Sequence, residues 1–264
     1  LLLSLIFVLA IALIAGCNVP GTGSERTDEN GNAGNVGSAD SGMRGGLAGE
    51  TPDSEEPPEP SAPPEPVFAE ANLVAVGDIM MHMPQIRSGY DPDSGTYSFH
   101  HFFTEVKPFL AAGDWVVGNL ETPLADGDKR GYTGYPEFNA PPELADALKE
   151  AGFNILTTAN NHTLDRRESG VLRTLENLRL RDLLPVGTHA SPEEAEEVAI
   201  VTKNGIALAI LSYTYGTNGI PIPEGKPYLV NLIDEEKIAA DIGKARSLGA
   251  DVVAVALHFG NEYE

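Results

Sequence analysis

The sequence predicts an α/β fold built on a parallel sheet, and three observations carry that prediction. Short apolar runs at 73–76, 115–118, 153–158 and 251–257 have the length and composition of buried strands. Stretches with helical spacing of apolar residues stand between them, as alternating β and α units require. Each apolar run also gives way at once to polar, ligand-type residues: Asp78, then Asn119 with Glu121, then Asn160, Asn161 and His162, and finally His258. In a parallel sheet these strand ends lie along one edge, which is where α/β proteins collect ligands and catalysts.

In chain order, residues 1–17 come first. Residues 1–15 are apolar apart from Ser4, and Gly16-Cys17 is followed by polar, turn-rich sequence. An apolar segment ending in small residues before Cys resembles the lipobox of a bacterial lipoprotein signal peptide. Cleavage before Cys17 and lipidation of that residue would tether the protein to the outer face of the bacterial cell membrane without spanning it. A secretory signal or membrane anchor with an incidental Cys is the alternative. Residues 18–68 read as a linker, Gly/Ser/Asn-rich and then acidic and Pro-rich, with almost no large apolar residues to offset the entropy of ordering. Residues 69–264 form the folded domain. The chain lacks an initiator Met and a basic leader, and no helix follows its last strand, so extension beyond both ends is expected. A net charge of -22 argues against nucleic-acid binding through a basic surface, and a single Cys excludes an internal disulfide framework.

Within the domain, Asp78 ends the first strand as a candidate metal ligand or a helix N-cap. His82 is a further loop candidate, and His100 and His101 sit in an amphipathic stretch, 99–110. The second strand ends in Asn119-Leu120-Glu121. A helix starting near Pro141 or Pro142 carries Leu144, Ala147, Leu148 and Ala151 and closes at Gly152. The third strand ends in Asn160-Asn161-His162 and Asp165, read either as turn formers or as ligands and a proton carrier. Arg166, Arg167 and Arg173 follow as solvated positions or anion contacts, and Leu172, Leu175, Leu178 and Leu180 as core. A short strand at 185–188 precedes His189, and Ser191 caps a helical turn. Asn204-Gly205 joins 198–202 to 206–213 as a hairpin, after which Tyr213, Tyr215 and Asn218 are candidates to line a cleft. A helix at 233–248 leads to the last strand and His258. Several carboxylates converging on one edge would repel one another unless a cation sat among them.

Val76-Gly77-Asp78-Ile79-Met80, Gly118-Asn119-Leu120-Glu121-Thr122-Pro123, Ala159-Asn160-Asn161-His162 with Asp165, and His258-Phe259-Gly260-Asn261-Glu262-Tyr263 occur in that order. Together they resemble the bacterial capsule-synthesis CapA family, also described as poly-gamma-glutamate biosynthesis proteins, which is similar to the calcineurin-like metallophosphoesterases. The resemblance implies a four-layer α/β/β/α sandwich of two sheets flanked by helices. It also implies a divalent metal (Mn, Fe or Zn) held by Asp78, Glu121, Asn161 and His258, with His162 as the acid that serves the leaving group. Asn119, Asn160, Asp165, Arg167 and Glu262 stand beside them as candidate substrate contacts. Two positions depart from the family pattern: Met80 replaces a His two residues after the first Asp, and Arg167 replaces a Gly two residues after Asp165, where a side chain disfavours left-handed backbone.

Two function classes follow. One is a cell-surface, metal-dependent hydrolase or transferase acting on a phosphoester or a gamma-glutamyl amide. The other is a non-catalytic accessory protein that binds the acidic polymer or its synthesis and export proteins. An envelope-binding module with structural strand ends is a third.

Overall fold

The computed structural model describes residues 10–15, 68–127 and 129–260. Its elements run β1 (Ala10–Ala15), β2 (Leu73–Ile79), α1 (Met83–Ser88), β3 (Tyr90–Asp91), β4 (Thr96–Tyr97), α2 (Lys107–Leu110), β5 (Trp115–Leu120), α3 (Glu143–Ala151), β6 (Ile155–Thr157) and α4 (Arg167–Arg179). They continue with β7 (Leu184–Val186), α5 (Pro192–Ala195), β8 (Ala199–Lys203), β9 (Ile206–Thr214), α6 (Glu235–Ser247) and β10 (Val252–His258). One sheet has the order β2-β5-β6-β7 and is parallel throughout. The other has the order β1-β10-β9-β8, parallel between β10 and β9 and antiparallel in its two outer pairs.

Alternation along the strands decides what each sheet packs against. Trp115, Val117 and Ile155 of the parallel sheet share an apolar cluster with Leu208, Ile210 and Ala254 of the other. On the opposite face of the parallel sheet, Val116, Leu120 and Leu156 pack with Leu144, Leu148 and Leu178 from α3 and α4. On the far face of the second sheet, Leu211, Val253 and Val255 pack with Ala245, Ile238 and Ile242 of α6. The Trp115 indole donates to the Val201 carbonyl at 3.0 Å, a hydrogen bond from β5 to β8 that joins the two sheets directly. Gly187 has φ 102, and a Cβ there would lie 2.7 Å from Ala159 Cβ and 2.9 Å from Ser212 O, so glycine lets the end of β7 approach both neighbours.

The expected caps are present. Ser191 accepts from the Glu194 amide and Gly152 closes α3 with φ 114; Asp234, not singled out by the sequence, also caps α6 by accepting from the Lys237 amide. Asn204 (φ 50) and Gly205 (φ 82) make the turn between β8 and β9. Some expectations are corrected. The stretch 99–110 is broken into a short turn, His100–Phe102, and α2, with His100 and His101 on the surface. Leu180 is 72% exposed because α4 buries Val171, Leu175 and Leu178, a stripe that ends before Leu180. Tyr213 lies inside β9, fully buried, with its hydroxyl on Asp241 at 2.7 Å, so it lines no loop. Apart from these corrections, Ala10–Ala15 pairs its backbone antiparallel with β10, where an open strand edge offers partners. Cys17, Glu262 and the expected linker apart from Phe68 lie outside the described residues.

Trp115 is 4% exposed and is the single Trp of the chain. Trp115→Ala is expected to lower the unfolding free energy by about 3–5 kcal/mol in urea titrations followed by circular dichroism.

Candidate metal centre

The site begins with an irregularity in β2. Leu73 pairs with Trp115 and Ala75 with Val117, but the next pair is Asp78 with Asn119, so β2 holds one extra residue at Val76-Gly77. Regular alternation would turn Asp78 to the helix-packed face with Val74 and Val76. The bulge hands that face to Ile79 and turns Asp78 to the side of Asn119.

Asn119 is 1% exposed and its amide is fully used. Its nitrogen lies 2.8 Å from Asp78 Oδ1 and 3.3 Å from His258 Nδ1, and its oxygen accepts from Asn160 Nδ2 and Thr157 Oγ1, each at 3.2 Å. The amide thereby faces residues from four segments, with the roles at His258 Nδ1 set by the ring's tautomer. Asn160 fastens the next turn: its nitrogen also donates to Leu120 O at 2.8 Å, and its oxygen accepts from the His162 amide at 3.1 Å. The Thr163 hydroxyl takes the Asn160 amide at 3.0 Å and lies 2.6 Å from Thr158 O, so the turn after β6 is closed from within.

These contacts set the chemistry. Asp78, Glu121 and His258 each offer one ligand atom, and these atoms all lie within 4.8 Å of one another. Asn161 Oδ1 is 2.9 Å from His258 Nε2, which in turn is 3.7 Å from Glu121 Oε1. Donors bound to one ion at about 2.1 Å stand roughly 3–4 Å apart, so this set of oxygens and an imidazole fits a divalent cation after small adjustment. Burial lowers the proton affinity of His258, against the pull of Asp78 and with a further push from His162, which favours the neutral ring that a metal needs. His162 is buried, its Nε2 4.0 Å from Glu121 Oε1 and its Nδ1 2.8 Å from Asp165 Oδ2. That Asp165 oxygen also accepts from the Phe138 amide at 2.6 Å, and the Phe138 ring stands edge-on to His162 at 4.6 Å.

Asp78, Asn119, Glu121, Asn160, Asn161, His162, Asp165 and His258 are therefore brought together, while Glu262 lies outside the described residues. Arg173 is not part of the group: it pairs with Asp126 at 3.0 Å and Glu176 at 2.5 Å on the surface. Arg166 is buried and directed to Gly131 O at 3.3 Å and Thr133 Oγ1 at 2.5 Å. Arg167 corrects the expectation that a side chain would keep this position out of the left-handed region, for its φ is 58. His82 packs on Phe138 with ring centroids 5.0 Å apart, outside the ligand set. Tyr215 lies over His258 with an interplanar angle of 14°, and Asn218 accepts from Asn161 Nδ2 at 3.2 Å, so the loop after β9 does reach the site. Phe138 escaped sequence reasoning, since an apolar residue in an irregular loop carries no periodic signal.

A cavity of about 620 Å³ lies elsewhere, lined by Val186, Thr188, His189, Val198 and Ser212 among others, and shares no residue with the ligand set. Burial there pushes His189 below its ordinary value despite Glu194 and a hydrogen bond with Asn231.

Two outcomes are expected. Asn119→Ala should cost on the order of 3 kcal/mol in chemical denaturation, because it strands buried groups on several segments. Because His189 is depressed in the folded state, the unfolded chain takes up the proton first as pH falls. Stability from this residue is thus full above the unfolded value of 6.5 and is lost as pH falls through the lower folded value. His189→Gln should flatten that part of the decline when midpoints are compared with wild type across the range.

Comparison with known proteins adds ancestry to this geometry. Residues 72–264 match the family model described as "Bacterial capsule synthesis protein PGA_cap". The chain is 31% identical over 201 residues to the capsule biosynthesis protein CapA of Bacillus anthracis, covering 73% of this chain and 47% of the relative. It is 29% identical over 199 residues to the PGA biosynthesis protein CapA of Bacillus subtilis (strain 168), covering 72% and 49%. The chain thus spans about half the length of these curated relatives. Among solved structures, the NAD nucleotidase NadN of Haemophilus influenzae is similar with a TM-score of 0.35 and 17% identity, over 56% of this chain and 26% of that one.

Proposed function

The chain belongs to the bacterial capsule synthesis family PGA_cap, and from that premise we propose that it takes part in making a surface polymer of the poly-gamma-glutamate kind, as a divalent-metal-dependent hydrolase or transferase. The bond acted on is a phosphoester or a gamma-glutamyl amide. The observation that carries this reading is the convergence of Asp78, Glu121 and His258 within 4.8 Å, with His162 beside them. Helices packed outside two sheets that share an apolar interface support the four-layer, metallophosphoesterase-like reading of the fold.

In this proposal Asp78, Glu121, Asn161 and His258 hold Mn, Fe or Zn, which when bound supplies Lewis acidity and lowers the pKa of water. The remaining work falls to the protein. Asn119 keeps Asp78 and His258 in place, and Asp165 orients His162 through Nδ1. With Nδ1 held in that way, Nε2 is the atom on the Glu121 side, and from there it passes a proton to the leaving group. Asn160, Asn119 and Asp165 act mainly by positioning, and Arg167 meets substrate. Residues 1–17 serve as a lipoprotein signal, Cys17 carries the lipid anchor, and the domain works outside the cell membrane at the end of a linker. Among the described residues no helix is long and apolar enough to cross a membrane. Met80, standing where a His ligand is expected, favours a second reading in which the domain is an accessory that binds the acidic polymer or its export proteins without turnover.

Elemental analysis decides between the two. Wild-type protein supplied with Mn, Fe and Zn is expected to hold stoichiometric metal, and Asp78→Ala combined with Asn161→Ala to hold none. A folded wild type without metal above background would leave only the accessory reading. His162→Ala should keep its metal while turnover falls about 10²–10⁴-fold.

A further inference from the structure

Asn161 and His162 are buried, and the exposed residue that touches both is Asn218, in the loop after β9. Thr217–Ile220 form a tight turn. The Ile220 amide donates to Thr217 O at 2.9 Å, the Thr217 hydroxyl donates to Ile220 O at 2.6 Å, and Asn218 and Gly219 have φ 50 and 73, a conformation that Asn-Gly adopts readily. The loop is tied to the site on both sides. The Tyr215 amide donates to His258 O at 3.0 Å, and Ile220 packs against the cluster of Leu164, Val171 and Leu175 that follows the His162 turn. Asn218 Oδ1 thereby accepts from Asn161 Nδ2 at 3.2 Å, with Asn218 Nδ2 3.5 Å from His162 Nδ1.

The direction of each hydrogen bond here follows from the backbone. Asn160 donates through Nδ2 to Leu120 O and accepts through Oδ1 from the His162 amide, so groups with fixed roles settle which end of it is oxygen. Its Nδ2 also reaches Asn119 Oδ1, which leaves Asn119 a donor toward His258 Nδ1. Nδ1 then accepts, Nε2 carries the ring proton, and Asn161 meets that proton with its oxygen, at 2.9 Å. The Asn161 nitrogen is left on the other side and needs an acceptor, which Asn218 Oδ1 supplies. Asn218 Nδ2 makes no matching bond at His162, whose Nδ1 donates to Asp165 Oδ2, and so it packs against the ring edge.

We infer that Asn218 is a positioning residue, which keeps the carbonyl oxygen of Asn161 turned toward His258 and the ligand set. A neutral amide ligates a cation through oxygen, so a half-turn of this group removes a ligand. An ion held by both Asn161 and His258 takes the place of the hydrogen bond between them, and the bond to Asn218 is then what anchors the amide. Water in place of Asn218 donates as readily as it accepts and leaves the orientation unspecified. That an ion is held there rests on the function proposed above; the anchoring of Asn161 does not.

The experiment uses the whole chain. Affinity for Mn and Zn is measured by chelator competition, the Asn161 side-chain amide is followed by isotope-edited NMR in metal-free protein, and thermal midpoints report folding. Asn218→Gly removes the amide from a backbone position that glycine fits, and is expected to fold while binding metal roughly tenfold or more weaker. Asn218→Asp keeps an acceptor and tolerates the same φ, so it should bind metal at least as well as wild type. The Asn161 amide protons should exchange slowly in wild type and Asn218→Asp and fast in Asn218→Gly. Should Asn218→Gly not fold, Asn218→Ala takes its place. In a wild type that binds metal, unchanged affinity on removal of the amide overturns the inference. So does an equal loss in Asn218→Asp, which makes the turn rather than the acceptor responsible. A wild type without metal removes the metal reading, and the amide signals then decide alone: protection that depends on an acceptor at residue 218 sustains the anchoring, and protection indifferent to that residue overturns it.

Discussion

One buried amide, that of Asn119, is the constraint on which the rest of the site depends. Its four hydrogen-bonding positions face Asp78 on β2, His258 on β10, Thr157 on β6 and Asn160 in the turn that follows. Two of these strands flank it in the parallel sheet and one lies in the other sheet, so the side chain fixes the sheets against each other at the height of the site. A buried polar group costs stability unless every donor and acceptor is met. Here the requirement acts as a specification, because the amide is satisfied in only one relative placement of these segments.

Much of this was legible in the sequence, for a physical reason. Asp78, Asn119, Glu121 and Asn161 follow apolar runs of one parallel sheet, whose strands necessarily present their carboxyl ends together, whereas His258 ends β10 of the other sheet and meets them from across the interface. Alternation alone would have misdirected Asp78, since Val74 and Val76 face the helices. Gly77 hints at the bulge, but a bulge is settled by the neighbouring strand and not by the residue itself. Phe138 was hidden for another reason: it belongs to an irregular segment whose position depends on what it docks against, here Asp165 and His162. Arg167 illustrates the limit of local rules: its type predicts right-handed backbone, while its contacts with Leu164 O at 3.1 Å and with Glu137 hold the other.

Net charge gives the wrong impression of this surface for a similar reason. Exposed charges separated by more than about 8 Å are largely screened at physiological salt, so distant carboxylates weigh little at any one spot. What counts at one spot is the local set, as around Glu137, where three guanidinium groups stand within 4.0 Å.

The layer between the sheets explains how such a polar centre is tolerated. Along β5 its side chains run Trp115, Val117, Asn119; along β6, Ile155, Thr157; along β9, Leu208, Ile210, Ser212, Thr214; along β10, Ala254, Ala256, His258. With the bulge, β2 follows suit as Leu73, Ala75, Asp78. Each strand changes from apolar to polar in the same direction, so one interface has a dry end and a hydrogen-bonded end. The dry end, with Trp115 linked across to Val201, supplies burial at about 25 cal/mol per Å² of apolar surface. The polar end adds little net stability, since its hydrogen bonds mainly offset desolvation. Function and cohesion are therefore separated along the strands rather than between domains. A substitution near residue 115 would be felt first in folding, and one near residue 119 in both, because there the two ends meet.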